Sequence, residues 1–198
     1  MNAEDEDTGE KMSVQQLKDE CMTIFVAGHE TTANALSWCF YLLSQHPDKM
    51  AILQQEIDEV LKGDVPNFHT LKELKYTGMV LDEAMRIFPP AWSIGRKVVK
   101  DTVLDGYQMK KNAVLLLDVY TLHRHPDFWE NPNDFEPERF TPEKKKQRHK
   151  FAYIPFGAGQ RMCIGNNFAM MEMKIILAMM FQNFDLRMSN KAPEVVPE

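Results

Sequence analysis

A proline-free stretch over residues 13–45 constrains the fold more than any other feature of the sequence. Apolar residues recur on nearly every side of its helical projection, and Ser13 and Gln16 have the spacing of a capping box. The pattern predicts one long, buried helix. Cys21 and Cys39 would lie about 27 Å apart on that helix at 1.5 Å per residue, so a disulfide cannot join them.

Shorter patterns of apolar and turn residues follow the long helix. They predict a helix from Pro47 that stops at Gly63, a short turn opened by a capping box at 70–73, a helix at 76–88, strands at 93–99 and 113–118, an irregular segment at 123–155 and a helix at 166–184. The last helix has apolar residues all round and is predicted to be buried. The predicted fold class is mainly α with a small antiparallel β-sheet.

Composition predicts one globular domain, because 44% of the 198 residues are hydrophobic and 26% are charged. Residues 1–12 are predicted to be a flexible acidic segment without function. The net charge of −6 argues against nucleic acid as a partner. No apolar stretch approaches the roughly 20 residues of a membrane-spanning helix, and the three cysteines cannot all pair. We therefore expect a cytoplasmic or cytosol-facing protein, with membrane anchoring left open.

Cys163 is the residue whose surroundings point to chemistry. It lies in the segment FGAGQRMCIG just before the last predicted helix, where the helix dipole favours a thiolate. Gly157, Gly159 and Gly165 permit backbone turns that bring amides close to the sulfur. Zinc is a poor candidate, because no second cysteine has the spacing of a zinc site. A lone cysteine is otherwise more often structural than a ligand, and only its context favours the ligand.

Four motifs give this cysteine a context, because together they resemble the cytochrome P-450 family. Residues 156–165 match F-x-x-G-x-R-x-C-x-G, residues 83–86 match E-x-x-R, residues 137–140 read PERF and residues 27–32 read AGHETT. The resemblance covers residues 13–184 and implies a partial fold, the C-terminal half of a cytochrome P-450. Residues 13–198 would then be its haem-binding domain, preceded by the acidic segment.

The resemblance implies a role for each motif residue. The cofactor would be haem b with Cys163 as the axial ligand of its iron. The remaining cofactor-binding residues would be Arg161 and Arg96, which would bind the haem propionates, with Phe156, Gly157 and Gly159 in the cysteine loop. Glu83, Arg86 and Arg139 would form a buried charge network that fixes the irregular segment against the core.

The AGHETT motif would supply the oxygen-handling groups. By resemblance, Glu30 and Thr31 would deliver protons to iron-bound dioxygen. The competing interpretation has the Thr31 hydroxyl bonded to a carbonyl of its own helix. We favour the catalytic role because burying Glu30 in an otherwise apolar helix would be costly without a purpose. The candidate substrate-pocket residues are Thr23 and Ala27, which share a helix face with Thr31, together with Ala91 and Ile94.

The implied function is a haem-thiolate monooxygenase that inserts one oxygen atom from O2 into a small lipophilic substrate, using two externally supplied electrons. A truncated, non-catalytic remnant and a haem-thiolate isomerase remain alternatives; Glu30 and Thr31 weigh against the isomerase. The electron donor would be a ferredoxin, a flavodoxin or a flavin reductase. It is expected to dock near a basic run of Lys144, Lys145, Lys146, Arg148 and Lys150. We interpret His123, His125 and His149 as loop histidines.

Overall fold

The computed structural model describes residues 4, 7, 9, 11–189 and 195. Over these residues the helices and strands are α1 Val14–Gln45, α2 Pro47–Leu61, α3 Thr70–Glu73, α4 Lys75–Ile87, β1 Ser93–Lys97, β2 Thr102–Leu104, β3 Tyr107–Met109, β4 Val114–Asp118, α5 Val119–Leu122, α6 Pro142–Gln147 and α7 Asn166–Asn183. Short 3-10 helices span Pro137–Phe140 and Gly159–Arg161. The predicted class, mainly α with a little antiparallel β-structure, is confirmed.

Helix α1 begins as predicted but is buried over only part of its length. The Ser13 hydroxyl accepts the Gln16 N–H at 3.2 Å, and the Gln16 side chain accepts the Ser13 N–H at 2.8 Å. Buried positions begin at Thr32, whereas residues 18–31 are all exposed. The prediction of a helix buried throughout is therefore wrong. The described part of the chain offers the first half of α1 too few packing partners to bury its apolar side chains.

One hydrophobic core joins the second half of α1 to α2, α4 and α7. Its fully enclosed members include Leu43 of α1, Ile57 of α2, Leu81 of α4 and Leu177 of α7. Helix α7 buries a stripe of Met173, Leu177, Ala178 and Phe181, while its other sides are partly or fully exposed. The prediction that α7 is buried all round is wrong for the same reason as for α1. The core positions both the start of α7 and the inner face of α4.

The start of α3 uses a residue that the sequence patterns did not single out, whereas the end of α2 lies where it was predicted. The Asn67 side-chain oxygen accepts the N–H groups of His69 and Thr70 at 2.9 and 3.2 Å. The predicted capping box over 70–73 is therefore wrong, because Asn67 satisfies the first amides of α3. Helix α2 ends with Lys62 at φ 53° and Gly63 at φ 91°, which is a left-handed terminus at the predicted place.

The strands form two separate two-stranded antiparallel sheets. Strand β1 pairs with β4 from Ser93↔Asp118 to Lys97↔Val114, close to the predicted strands. Strands β2 and β3 form a hairpin that turns at Asp105 and Gly106, both with positive φ. These two strands were not predicted, since three-residue strands are too short to show a period of two.

Residues 123–155 are irregular for the most part, and two short turns of helix interrupt them. The PERF residues form the 3-10 helix Pro137–Phe140, and α6 follows it behind an N-terminal Thr141. Three lysines of the basic run lie on α6. Among the described helices, none has the length and apolar character that a bilayer span requires. Most of segment 1–12 lies outside the described residues, although Glu4 and Lys11 form an ion pair at 3.0 Å.

Candidate functional site

The segment that carries Cys163 is a hydrogen-bonded loop. The Cys163 N–H donates to the Phe156 carbonyl at 2.9 Å, which closes the loop. The Gly157 N–H donates to the Ile154 carbonyl at 2.9 Å and fixes the loop's start. Gly157 and Gly159 have φ of 75° and 74°, a conformation that L side chains rarely adopt. The loop thus depends on the two glycines that the sequence pattern placed in the cofactor site.

Cys163 lies close to the N-terminus of helix α7. Cys163 is exposed and lies three residues before Asn166, the first residue of α7. Gly165 at the N-cap offers no side-chain acceptor, and the first turn contains no acidic residue. No side chain at the start of α7 therefore neutralises the partial positive charge of this helix end, which can attract an anion.

The other two cysteines have different environments. Cys39 is fully buried in the core of α1, and burial raises the pKa of its thiol to about 12, so it stays protonated at neutral pH. Cys21 is exposed on the first half of α1, inside a regular helix and away from any helix start. Neither offers the combination of exposure and helix N-terminus that Cys163 has. Cys163 is the better ligand candidate on geometry as well as on motif.

Apolar side chains surround the cysteine loop and are open to solvent. Ile164, next to the sulfur, is 97% exposed, and Phe168 in the first turn of α7 is 65% exposed. Strand β1 reaches the loop, because a Cβ placed on Gly157 would lie 3.6 Å from Ile94 Cδ1. Exposed apolar surface beside a thiol suits a large, flat, apolar cofactor such as haem. The surroundings of Cys163 therefore fit the group that the motifs imply.

Arg96 and Arg161 supply cations on the same part of the molecule. Arg96 lies on β1, is exposed, and donates to the Gly95 carbonyl at 2.8 Å. Arg161 is the exposed last residue of the 3-10 helix Gly159–Arg161, two positions before Cys163. Within the described residues, neither guanidinium forms an ion pair with a carboxylate. Both are thus free to bind an acidic group of a ligand.

The structure brings Glu83, Arg86 and Arg139 together in one network. Arg86 donates to both carboxylate oxygens of Glu83, Nε to Oε2 at 2.7 Å and Nη2 to Oε1 at 2.8 Å. Both side chains are 0% exposed. Arg139 Nε lies 3.3 Å from Glu83 Oε1, and the Glu136 N–H donates to the same oxygen at 2.9 Å. The PERF segment is thereby attached to α4.

Arg86 also holds the irregular segment from inside. Its guanidinium donates to the carbonyls of His123, Pro132 and Asp134 at 3.0, 2.7 and 3.1 Å. The Trp129 ring lies under it, with the guanidinium carbon 5.0 Å from the ring centroid. Five polar atoms and one aromatic face thus surround a single buried arginine. This pairing is what allows a charge to be buried without a large net cost.

His123 and Trp129 are network members that the sequence interpretation missed. His123 lies in the turn after α5, as expected of a loop histidine, but it is 0% exposed, which the sequence interpretation did not anticipate. Burial, with a smaller contribution from the charge of Arg86, lowers the pKa of His123 to about 4, so the ring is neutral at pH 7. His125 and His149 are exposed, as loop residues would be.

The AGHETT residues lie on the exposed first half of α1. The Thr31 hydroxyl donates to the Ala27 carbonyl at 2.6 Å, which is the competing interpretation considered for this residue. Glu30 is exposed, so the argument from the cost of burying it is wrong. Thr23 and Ala27 are exposed too, and the Thr23 hydroxyl donates to the Asp19 carbonyl at 2.8 Å. Their roles at the site stay predictions.

The remaining pocket candidates and the residues of the basic run differ among themselves in exposure and in contacts. Ala91 is exposed and Ile94 is half-buried. Lys145 Nζ lies 2.6 Å from Asp82 Oδ2, which ties α6 to α4. Arg148 is half-buried with its guanidinium carbon 4.1 Å from the Trp129 ring centroid. Lys144 and Lys146 are exposed without such a contact among the described residues, and Lys150 is exposed with its Nζ 4.7 Å from the centroid of the neighbouring Phe151 ring.

Comparisons with known proteins identify the family. The sequence profile of the family described as Cytochrome P-450 matches residues 1–198. Cytochrome P-450 97B2, chloroplastic, of Glycine max is 38% identical over 95% of this chain and 38% of its own length. Cyclooctatin synthase of Streptomyces melanosporofaciens is 42% identical over 89% of this chain and 38% of its own length.

A solved structure agrees with these relatives. The crystal structure of the cytochrome P-450DA heme domain superposes with a TM-score of 0.91 at 38% identity, covering 97% of this chain and 43% of that one. The chain thus spans about two fifths of the length of the proteins it matches. A profile match over the whole sequence, together with this likeness, settles its membership. The chain belongs to the cytochrome P-450 family.

Proposed function

We propose that this chain is the haem-binding part of a haem-thiolate monooxygenase that inserts one oxygen atom from O2 into a small lipophilic substrate. The observation that carries the proposal is Cys163, exposed in a closed glycine loop at the start of α7. Haem b bound through a thiolate supplies the dioxygen activation that such a reaction requires. Membership of the family supports the same reaction class.

The residues in and around the loop would each have a different role in binding the cofactor. Cys163 Sγ would bind the haem iron, and the bond from the Cys163 N–H to the Phe156 carbonyl would keep the sulfur in place. Gly157 and Gly159 provide the positive-φ turns. Arg96 and Arg161 would bind the haem propionates, since neither guanidinium is paired with a carboxylate in the part of the chain that is described.

The first half of α1 would face the oxygen and substrate side. A Cβ on Gly28 would meet no atom within 4 Å, so the helix surface there is open. Glu30 and Thr31 would relay protons, with the Thr31 hydroxyl exchanging its bond to Ala27 for one to a bound molecule. Candidate pocket residues are Thr23, Ala27, Ala91 and Ile94.

The spectrum of the reduced, carbon monoxide-treated chain after haem reconstitution tests the proposal. The wild-type chain is expected to show the absorption of thiolate-ligated haem. Cys163→Ser should lose that absorption. Cys21→Ser, which removes the other exposed thiol, should keep it. A Cys163→Ser chain that keeps the thiolate absorption would refute the ligand assignment. A wild-type chain that binds no haem would support the non-catalytic remnant instead.

The electron donor is proposed to be an acidic ferredoxin, flavodoxin or flavin reductase that binds at Lys144, Lys146 and Lys150. These three side chains are exposed, whereas Lys145 is paired with Asp82 and Arg148 is packed on Trp129. The loop of Cys163 begins a few residues further along the chain. Exposed cations with no structural task can attract an acidic surface at long range, and salt weakens that attraction.

Association with an acidic two-iron ferredoxin, measured by stopped flow at low and high ionic strength, tests this docking surface. Changing Lys144, Lys146 and Lys150 together to Glu should slow association about tenfold at low salt and flatten its salt dependence. Lys18→Glu on α1 is the charge-matched control for each of the three lysines changed singly to Glu, and it should have little effect. Equal salt dependence in the triple variant and the wild type would exclude these lysines as the docking surface.

A further inference from the structure

His123 occupies the junction between the charge network and the cysteine loop. Its backbone carbonyl accepts Arg86 Nη1 at 3.0 Å, and its own N–H donates to the Val119 carbonyl at 2.9 Å. Its side chain is enclosed at 0% exposure. The Tyr153 ring packs on it with centroids 5.1 Å apart, and the Tyr153 hydroxyl donates to the Asp82 carbonyl at 2.8 Å. Two contacts therefore connect His123 to α4: the direct bond from Arg86, and the packing on Tyr153, which is itself bonded to Asp82.

One side-chain bond leads from His123 toward Cys163. The Ile154 N–H donates to His123 Nε2 at 2.9 Å. The Ile154 carbonyl in turn accepts the Gly157 N–H at 2.9 Å, and the Phe156 carbonyl accepts the Cys163 N–H at 2.9 Å. A short run of bonds thus joins the buried network to the loop that presents the sulfur. Every bond in it except the first is between backbone groups.

The first bond specifies the chemistry that residue 123 needs. Nε2 acts as an acceptor, so the neutral ring carries its proton on Nδ1. Nδ1 is buried and has no aligned hydrogen-bond partner among the described residues. An apolar side chain here would leave the Ile154 N–H buried and unsatisfied, and a cation would repel Arg86. A neutral acceptor at the distance of Nε2 meets both demands.

We propose that His123 is a positioning residue that holds the start of the Cys163 loop against the Glu83–Arg86 network through the Ile154 N–H. The proposal rests on the proposed function in that Cys163 is the haem ligand whose placement matters. Loss of the bond frees the Ile154–Gly157 turn, and the loop samples positions in which the sulfur is misplaced for ligation.

Three substitutions separate the hydrogen bond from simple packing. His123→Gln places an amide oxygen about as far from the backbone as Nε2, so it keeps an acceptor for Ile154. His123→Asn carries the same amide one carbon closer to the backbone and cannot reach. His123→Leu fills space without an acceptor. The pair of Gln and Asn keeps the test decisive even when the Leu variant fails to fold, because both are neutral amides.

Amide hydrogen exchange on the haem-free chain is the first measurement, with the Leu177 amide in the core of α7 as reference. Asn and Leu should speed exchange at Ile154 and Gly157 about tenfold relative to Leu177, while Gln should stay near wild type. The second measurement is the thiolate share of the reduced, carbon monoxide-treated spectrum. That share should fall in Asn and Leu and be retained in Gln.

The two measurements fail in different ways. Unchanged exchange at Ile154 in the Asn variant, or a Gln variant as perturbed as Asn, would overturn the positioning role of His123. A wild-type chain without thiolate absorption would instead count against the proposed function, while the exchange data would still decide whether His123 holds the loop. Normal exchange combined with a lost thiolate spectrum in Asn would also contradict the proposal, since the effect would not pass through Ile154.

Discussion

The Glu83–Arg86 network and the Cys163 loop are both built from family motifs, but the network is buried and the loop is exposed. Glu83 and Arg86 are fully buried, and their bonds are made to groups of this chain. Cys163 and Ile164 are exposed, and the loop's own bonds are backbone bonds that leave the sulfur outward. The first motif is complete within the described chain. The Cys163 loop instead exposes a surface that a ligand can bind.

This difference predicts how each motif responds to substitution. Removing one partner of a buried ion pair leaves an uncompensated charge in the protein interior, which is among the most destabilising changes known. Replacing an exposed thiol removes no packing and no charge partner. We therefore expect substitutions in the network to lower the free energy of unfolding, and haem binding with it, whereas Cys163 substitutions should lower haem binding without destabilising the fold.

Glu83→Ala should produce the largest loss of stability. It strands the Arg86 guanidinium in the core and releases the Glu136 N–H, so we expect a loss of about 3–5 kcal/mol in the free energy of unfolding. Urea unfolding followed by far-ultraviolet circular dichroism measures it. The chain should lose its capacity to bind haem along with its fold.

The matched control for this variant is Glu73→Ala. Glu73 is also a helical glutamate in an ion pair, with Lys75 at 3.5 Å, but both side chains are more than half exposed. That pair should contribute less than about 1 kcal/mol. Equal urea midpoints of unfolding for Glu83→Ala and Glu73→Ala would contradict the contrast between the buried network and an exposed ion pair. The network would then lose its assigned structural role.

The sequence predicts the members of the network less completely than it predicts the helices. The spacing of Glu83 and Arg86 places both on one helix face, yet spacing alone describes a marginal surface pair. Only the family resemblance added Arg139. His123 and Trp129 were missed because nothing local indicates that an irregular segment folds back over α4. Contacts between residues about 40 positions apart leave no periodic pattern in the sequence.

Burial was the property that sequence reasoning predicted worst. Apolar residues all round α1 and α7 predicted two enclosed helices, but periodicity does not tell which partner covers each side. The structure encloses Leu43 and Leu177 and leaves Phe25 and Phe168 open. The basic run shows the same limit. Its five cations look alike in sequence, and only the fold distinguishes Lys145, paired with Asp82, from its neighbours.

His123 joins the two motifs. Its protonation is expected to change the stability of the network by less than Glu83→Ala does. Burial holds the pKa of His123 at about 4, below its ordinary value of 6.5, and the nearby charges of Arg86 and Arg124 act in the same direction. Backbone hydrogen bonds near Met85 and Arg86 oppose them without prevailing. The folded state therefore disfavours the protonated ring, and the unfolded chain takes up the proton at higher pH than the folded chain.

Stability that depends on a neutral His123 is fully present above about pH 6.5 and is lost as the pH falls toward 4, by about 3 kcal/mol in total. Urea unfolding at several pH values across this window measures the loss. Carboxylates titrate in the same range, so the quantity to compare is the difference between wild type and His123→Gln, which cannot be protonated there. The wild type should lose more stability than the Gln variant on acidification. Parallel pH profiles would mean that His123 has the same pKa in the folded and the unfolded chain, and the proposed depression of its pKa by burial in the network would then be wrong.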